Sequence, residues 1–451
     1  MSVATQEQRP EFGELLRVFG RIGLLSFGGP AGQIALMHRI LVDERKWLDE
    51  ARFLHALNYC MLLPGPEAMQ LATYAGWLLH GVRGGLIAGL LFVLPGAIVL
   101  TALSALYLLL GDVPVVAGLL FGLKAAVLAV VLEALIRVSR RALKNGYMVA
   151  LAVAAFAGIA VFSLPFPLII LASALLGAIG VWTGWSPQAA NANGNGADGE
   201  IAELRAEWTH PSLARFVRTS ITWLVIWFLP LGAFYLMLGA GNVFTTEARF
   251  FSIMAAVTFG GAYAVLAYVA QQAVEIYGWL RPDEMLTGLG LAESTPGPLI
   301  LVLVFVGFLG GARLSGLDPL AGGLVGAAVT LWFTFVPCFL WIFAGAPYVE
   351  TVRNVRWLAS ALAGVTAAVV GVIANLALWF ALHVLFTQVG EVRLGPAGIP
   401  VPDFASFDPA SALIAAAAGA ALLRYHVNLF AVLAGAALAG MAVLMLGLAP
   451  A

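Results

Sequence analysis

Apolar residues run in long blocks down this 451-residue chain, and polar ones collect in short clusters between them. The blocks 86–110, 113–136, 147–163 and 165–185 are predicted as full membrane spans, because a helix crosses the hydrocarbon with about 20 apolar residues. The blocks before them are shorter and interrupted. An apolar helix over 12–29 carries Arg17 and Arg21 on one face, a second leg starts at Pro30, and two further legs flank 63–67. Legs this short predict re-entrant hairpins rather than spans. The sharpest interruption is Leu63-Pro64-Gly65-Pro66-Glu67. Pro64 and Pro66 have no backbone N–H and Gly65 accepts a positive φ, so one helix must end before them and another can begin after. Backbone broken at membrane depth persists only where protein or a water-filled cavity covers it.

A second copy, Thr295-Pro296-Gly297-Pro298, lies 232 positions further on. The same offset relates Ser26-Phe27-Gly28-Gly29 to Thr258-Phe259-Gly260-Gly261, Trp47-Leu48 to Trp279-Leu280 and Arg17 to Arg249. Beyond the breaks it becomes 242, pairing Pro95 with Pro337 and Gly122 with Gly364, so about ten residues near 313–321 read as an insertion. The chain is therefore read as a duplicated unit: a first repeat over 1–185, a polar linker over 186–218, a connecting span over 219–241 and a second repeat over 245–451.

Charge then sets orientation, because Lys and Arg collect on cytoplasmic loops. The loop 38–52 holds Arg39, Arg45, Lys46 and Arg52, whereas its counterpart 271–284 holds only Arg281. Arg137, Arg140, Arg141 and Lys144 follow one span of the first unit, where the second unit has only Arg393. At the remaining turn the bias reverses: 111–114 has no base, and the second unit has Arg353 and Arg356. The two units are expected upside down relative to each other, with the N-terminus and linker cytoplasmic. The fold class this implies is an all-α polytopic membrane protein of two inverted-topology repeats, whose broken, re-entrant helices meet at the membrane midplane.

Composition agrees. Hydrophobic residues make up 61% and charged ones 10% of the chain, against about 45–50% and 25% in soluble domains. A net charge of −1 gives no bulk basic character for nucleic acid. Cys60 and Cys338 stand singly in apolar segments, so neither a disulfide scaffold nor a zinc site is expected, and no metal or cofactor is called for. The polar start, 1–10, lacks the pattern of a cleaved leader. Six histidines without mutual spacing weigh against an enzyme.

The candidate chemistry lies at the four hairpin tips, 27–30, 63–67, 259–262 and 295–298, which are expected to converge. Helices that begin at Pro30 and Pro66 direct unpaired N–H groups and a positive dipole end at whatever precedes them, which suits an anion. The candidate substrate contacts are Ser26, Phe27, Gly28, Gly29 and Gln33, then Pro64, Gly65, Pro66, Glu67 and Gln70, then Gly260, Gly261, Thr295 and Gly297. Lys124, deep in an apolar block, is expected to add positive charge there; a pair with Glu133 or snorkelling is its competing role. Arg17 and Arg21, four apart, with His38, are expected to form a basic vestibule, or else to hold lipid headgroups. Glu67 and Glu293 flank the two breaks and are candidates for a coupling proton or for plain structural carboxylates.

At these residues the chain resembles the chromate ion transporter family in its long, two-domain form. The motifs are Ser26-Phe27-Gly28-Gly29-Pro30 with Gln33, Leu63-Pro64-Gly65-Pro66-Glu67-Ala68 with Gln70, Gly84-Gly85 and Leu94-Pro95-Gly96, and in the second half Phe259-Gly260-Gly261 and Glu293-Ser294-Thr295-Pro296-Gly297-Pro298. The resemblance covers nearly everything outside the linker. It implies export of chromate across the plasma (inner) membrane of a prokaryote and hence chromate resistance. Sulfate or another oxyanion is the alternative substrate, and a membrane-embedded enzyme the alternative class. Ala262 and Leu299 stand where the first copy has Pro30 and Glu67, which weights the first unit. The Gly- and Ala-rich spans 411–425 and 429–448 are expected to offer a homodimer surface.

Overall fold

The computed structural model describes residues 10–27, 29–182, 211–259, 261–348, 356–394 and 397–448. Gly28, Gly260, Arg353 and the linker through residue 210 lie outside the described residues, as do the side chains of Arg356 and Arg393.

The elements begin where local chemistry starts a helix. α1 (Phe12–Leu25) leads to α2 (Gly29–His38), which runs into a wider π-helical turn, Arg39–Glu44. Asp49 caps α3 (Glu50–Cys60) by accepting from the Arg52 N–H. α4 (Glu67–Leu110) is 44 residues long and is bent at His80 and Gly81, where Gly81 has φ 59°. Pro114 opens α5 (Pro114–Ala142), Asn145 caps α6 (Gly146–Ala160), and α7 (Phe166–Trp182) follows. α8 (Leu213–Met237) connects to α9 (Val243–Val257), α10 (Ala262–Ala270) with its π-helical turn Gln271–Ile276, and α11 (Pro282–Glu293). After a 3-10 turn (Leu299–Leu301) come α12 (Val302–Leu314) and α13 (Pro319–Gly345), the latter capped by Asp318. The chain ends with α14 (Arg356–Leu385), an antiparallel hairpin of β1 (Val389–Leu394) and β2 (Ala397–Pro402), α15 (Pro409–Gly419) with a π-helical turn Ala420–Arg424, and α16 (Leu429–Met445).

Among the described residues five helices are long and apolar enough to cross a membrane: α4, α5, α8, and the helical stretches Pro319–Tyr348 and Trp357–Leu385. The protein is an all-α polytopic membrane protein. α6 falls short of the span expected over 147–163. With 15 residues it reaches about 22 Å, less than the roughly 30 Å hydrocarbon. It ends before Ser163, which turns with φ 50°, and Pro165 blocks continuation. α7 runs to Trp182, the last described residue before the linker. The hairpin β1–β2 was not foreseen; it fills the stretch between α14 and α15 and is tied to the loop after α6 by the Gly398 N–H on the Val161 carbonyl, 2.9 Å.

The two halves exchange helices. α5 packs against α15 and α16, while α14 packs against α6 and α7. Both crossings bring backbones into contact through small residues: a Cβ on Gly122 would strike the Ala436 carbonyl, and Gly440 lies on Gly118 and Gly122. In the other crossing Gly364 meets Ser173 and Gly177. Gly440 of the stretch 429–448, where a homodimer surface is expected, thus packs within the chain, whereas Gly435 has open space beside it. Trp279 is buried against Phe250, Phe251 and Tyr277.

Candidate functional site at the hairpin tips

Two backbone hydrogen bonds build the centre. The Gly65 N–H donates to the Thr258 carbonyl at 2.8 Å, and the Gly297 N–H donates to the Ser26 carbonyl at 2.7 Å. Positions related by 232 thus bond reciprocally, each break of one half clasping the α1- or α9-terminal turn of the other. Reciprocity of this kind is what a two-fold relation between two similar surfaces produces. It demands glycine: φ is 120° at Gly65 and 93° at Gly297, and likewise 76° at Gly29 and 97° at Gly261. Ser26 and Thr258 finish their helices identically, their hydroxyls donating back to the Ile22 and Met254 carbonyls at 2.7 and 2.6 Å.

Four helical segments start here: α2, α4, α10 and the 3-10 turn before α12. Of their caps, Pro66, Gly261 and Pro298 provide no side-chain hydrogen bond. Their first-turn N–H groups therefore have no capping side chain as acceptor, and their dipoles put partial positive charge at these helix starts.

The side chains around this centre come mostly from the first half. Gln33 is fully buried on α2, and its Nε2 donates to the Gly297 carbonyl at 2.6 Å and more weakly to that of Ser26 at 3.5 Å. Gln70, one turn into α4, is also fully buried and donates to the Pro64 carbonyl at 2.8 Å. In both, Oε1 has no partner among the described residues. Glu67 is half-buried beside the other half's tip, its Oε1 3.8 Å from where a Cβ on Gly261 would stand. Thr295 returns its hydroxyl proton to the Ala292 carbonyl at 3.0 Å, so it shapes the break. Phe27 lies edge-on to Phe430 of α16, ring centres 5.1 Å apart.

Other expected site residues stand elsewhere. Glu293 is buried, accepts from the Tyr263 hydroxyl, and has Arg137 and Glu133 as its charged neighbours. Lys124 does not reach the tips. Its Nζ pairs with Asp283 Oδ2 at 2.9 Å. Asp283 is in the first turn of α11, so the pair lies about 15 Å along that helix from its tip end. The lysine's partner is neither at the tips nor Glu133; α11 is remote in sequence, but in the fold Gly290 of α11 packs on Leu123 and Val127 and brings Asp283 alongside. The same end of the molecule holds Glu284, gripped by Arg313 at 2.6 and 2.7 Å and by Arg281 at 3.1 Å, with Tyr107 donating to it at 3.0 Å. Arg17 and Arg21 are exposed along α1. His38 does not join them: it ends α2 opposite the tip and bonds Glu50 at 2.6 Å, with Asp43 at 3.4 Å. The expected three-residue vestibule is not assembled.

Tyr263, Thr258 and Cys338 were missed. Thr258 was visible as the partner of Ser26 at the 232 offset. Cys338 places its Sγ 3.0 Å from where a Cβ on Gly65 would stand, beside Gln70 Nε2 at 2.9 Å from the same point.

The chain matches the family model described as chromate transporter over residues 13–178 and 246–441. It is 30% identical over 379 residues to the chromate transport protein of Pseudomonas aeruginosa, covering 82% of each chain. It is 26% identical over 366 residues to the chromate transport protein of Cupriavidus metallidurans, covering 80% of each. To a probable chromate transport protein of Synechococcus elongatus it is 26% identical over 365 residues, 80% of this chain and 82% of that one. No solved structure matches it.

Proposed function

The chain belongs to the chromate transporter family, and on that premise we propose that it carries chromate out of a prokaryotic cytoplasm, through a site at the converged hairpin tips. The observation that carries this reading is the reciprocal pair Gly65–Thr258 and Gly297–Ser26, which gathers uncapped helix starts around one point. Backbone N–H groups and helix dipoles favour an oxyanion there without any side-chain cation. Gln33, Gln70, Gly65, Gly261 and Gly297 form the proposed contact surface, with Ser26, Phe27, Gly29, Pro64, Pro66 and Thr295 shaping the breaks. Gly28 and Gly260 belong to it by sequence position. Glu67 borders it.

The two halves are proposed to be inverted copies, with the N-terminus in the cytoplasm and a pseudo-two-fold axis through the tips. Broken helices facing each other at the repeat interface are how many transporters hold substrate at the midplane. With the cytoplasm negative, outward movement of a dianion is favoured by about 4.6 kcal/mol per 100 mV, twice the single-charge value. Export of this kind would confer chromate resistance.

The test is chromate uptake into everted membrane vesicles at imposed potentials, with sulfate as competitor. Uptake should follow an inside-positive potential and fall in Gln33→Ala. Uptake suppressed equally by equimolar sulfate would make this a general oxyanion carrier. No chromate movement under any gradient would overturn the reading.

A further inference from the structure

One buried carboxyl has no part in the site above. Glu247 of α9 stands where the first half has Leu15; it is fully buried, and neither carboxyl oxygen has a hydrogen-bond partner among the described residues. Glycines make room for it. A Cβ on Gly310 of α12 would stand 2.7 Å from Oε1, and one on Gly326 of α13 would stand 3.3 Å from Oε2; the Trp279 ring closes a third side.

The charged and titratable groups on the surrounding elements do not meet it. Arg313, one turn beyond Gly310, and Arg281, in the loop before α11, are both bound to Glu284. Arg249 points outward from α9, and Tyr277 of the same loop stacks on Trp279. On α8, Arg215 and Arg218 lie at the opposite end from Tyr235, which is largely exposed. On α13 the titratable group is Cys338, three turns away. An isolated ionised carboxylate in apolar surroundings is far costlier than the neutral acid, so this group rests protonated. A membrane protein retains such a group at a cost, which marks it as functional.

A polar row leads from it to the tips. Thr330, Thr334 and Cys338 follow Gly326 along α13 at intervals of four, so each lies above the last on the same helix flank. All three are buried. The Thr330 hydroxyl donates to the Gly326 carbonyl at 2.9 Å, the Thr334 hydroxyl has no partner among the described residues, and Cys338 Sγ donates to the Thr334 carbonyl at 3.6 Å. The row covers about 18 Å and ends on Gly65 and Gln70, where Cys338 meets the break.

We propose that Glu247 is a proton-binding site joined to the hairpin tips by the Thr330–Thr334–Cys338 row, and that its proton moves in exchange for the oxyanion. Loading forms one carboxyl O–H bond. Release breaks it, leaves the electron pair on the carboxylate, and passes the proton along the row to water at the hairpin tips in a conformation that exposes them. The exchange rests on the oxyanion reading; the proton site does not.

Two experiments separate them. Without chromate, a hydrophobic carbodiimide, which reacts with protonated carboxyls in apolar surroundings, should label Glu247 in the purified full chain, as read by peptide mass spectrometry. In liposomes, an outward chromate gradient should drive proton entry in the wild type, read with an entrapped pH dye. Glu247→Gln should cut that proton flux at least tenfold while leaving chromate counterflow exchange within twofold, which also shows that the variant folds. Thr334→Val should slow proton flux severalfold with exchange unchanged. Proton flux undiminished in Glu247→Gln, or absent from a wild type that exchanges chromate, overturns the proposal. A wild type that exchanges no chromate overturns the oxyanion reading, and carbodiimide labelling then decides the proton site alone: an unlabelled Glu247 ends it.

Discussion

The two hairpin breaks share a backbone and differ in their side chains. Gly65 and Gly297 have the same left-handed turn and the same reciprocal bond. Around the first stand Glu67 and Gln70, where the second has Leu299 and Val302; Gln33, also from the first half, reaches across to the Gly297 carbonyl of the second, and its counterpart is Val265. The polar neighbourhood of the second copy is instead Glu293 with Tyr263. Backbone geometry is therefore duplicated where N–H groups must be presented, and side-chain chemistry is not. In the proposed site, then, binding would draw on both halves and discrimination on one.

The comparison can be broken most forcefully at the glycines. Gly65→Ala and Gly297→Ala each place a side chain at a positive φ and against close neighbours, Gln70 and Cys338 in one case and Leu301 in the other. Strain of about 1–3 kcal/mol at the clasp should lower the initial rate of chromate uptake about 100-fold, and equally in both variants, per unit of inserted protein. Gln33→Ala removes the donor on the Gly297 carbonyl and should weaken apparent affinity about tenfold, whereas Val265→Gln should change it less than twofold; concentration dependence of uptake reads both. Glu67→Gln removes an ionisable carboxyl beside the α10 start and should improve apparent affinity up to about fivefold, with Leu299→Glu acting in the opposite sense. The smallest effect belongs to Lys124→Ala. Its partly exposed pair with Asp283 should contribute no more than about 1 kcal/mol of stability in a detergent melt, and uptake should stay within about twofold of wild type.

Much of this was legible before any coordinates. Prolines and glycines at 63–67 and 295–298 dictate helix breaks by their own chemistry, and Gln33 and Gln70 enter the candidate contacts by their nearness to those breaks. The misreadings share one cause. Lys124 and His38 were judged by their sequence neighbours, while their partners, Asp283 and Glu50, arrive from other elements. Spacing within a helix says which face a residue occupies, not what packs on it. Glu247 gave less signal still, since a lone glutamate near the start of an apolar run resembles an ordinary first-turn acid. The π-helical turns Arg39–Glu44 and Gln271–Ile276 share an offset yet almost no residues, so only the fold reveals them.

The exchanged helices set an order in time. α14 emerges when α6 and α7 are already made, and its Gly364 finds Gly177 waiting. α5 has no such luck: Gly440, which closes on Gly122, is translated about 300 residues later, a wait of roughly 15–60 s at ordinary ribosome speed. Throughout that interval the glycine flank of α5 must be sheltered by lipid or by an insertion factor. A ribosome that stalls before α16 leaves the first half complete in sequence but unfinished in structure, a marked substrate for membrane quality control.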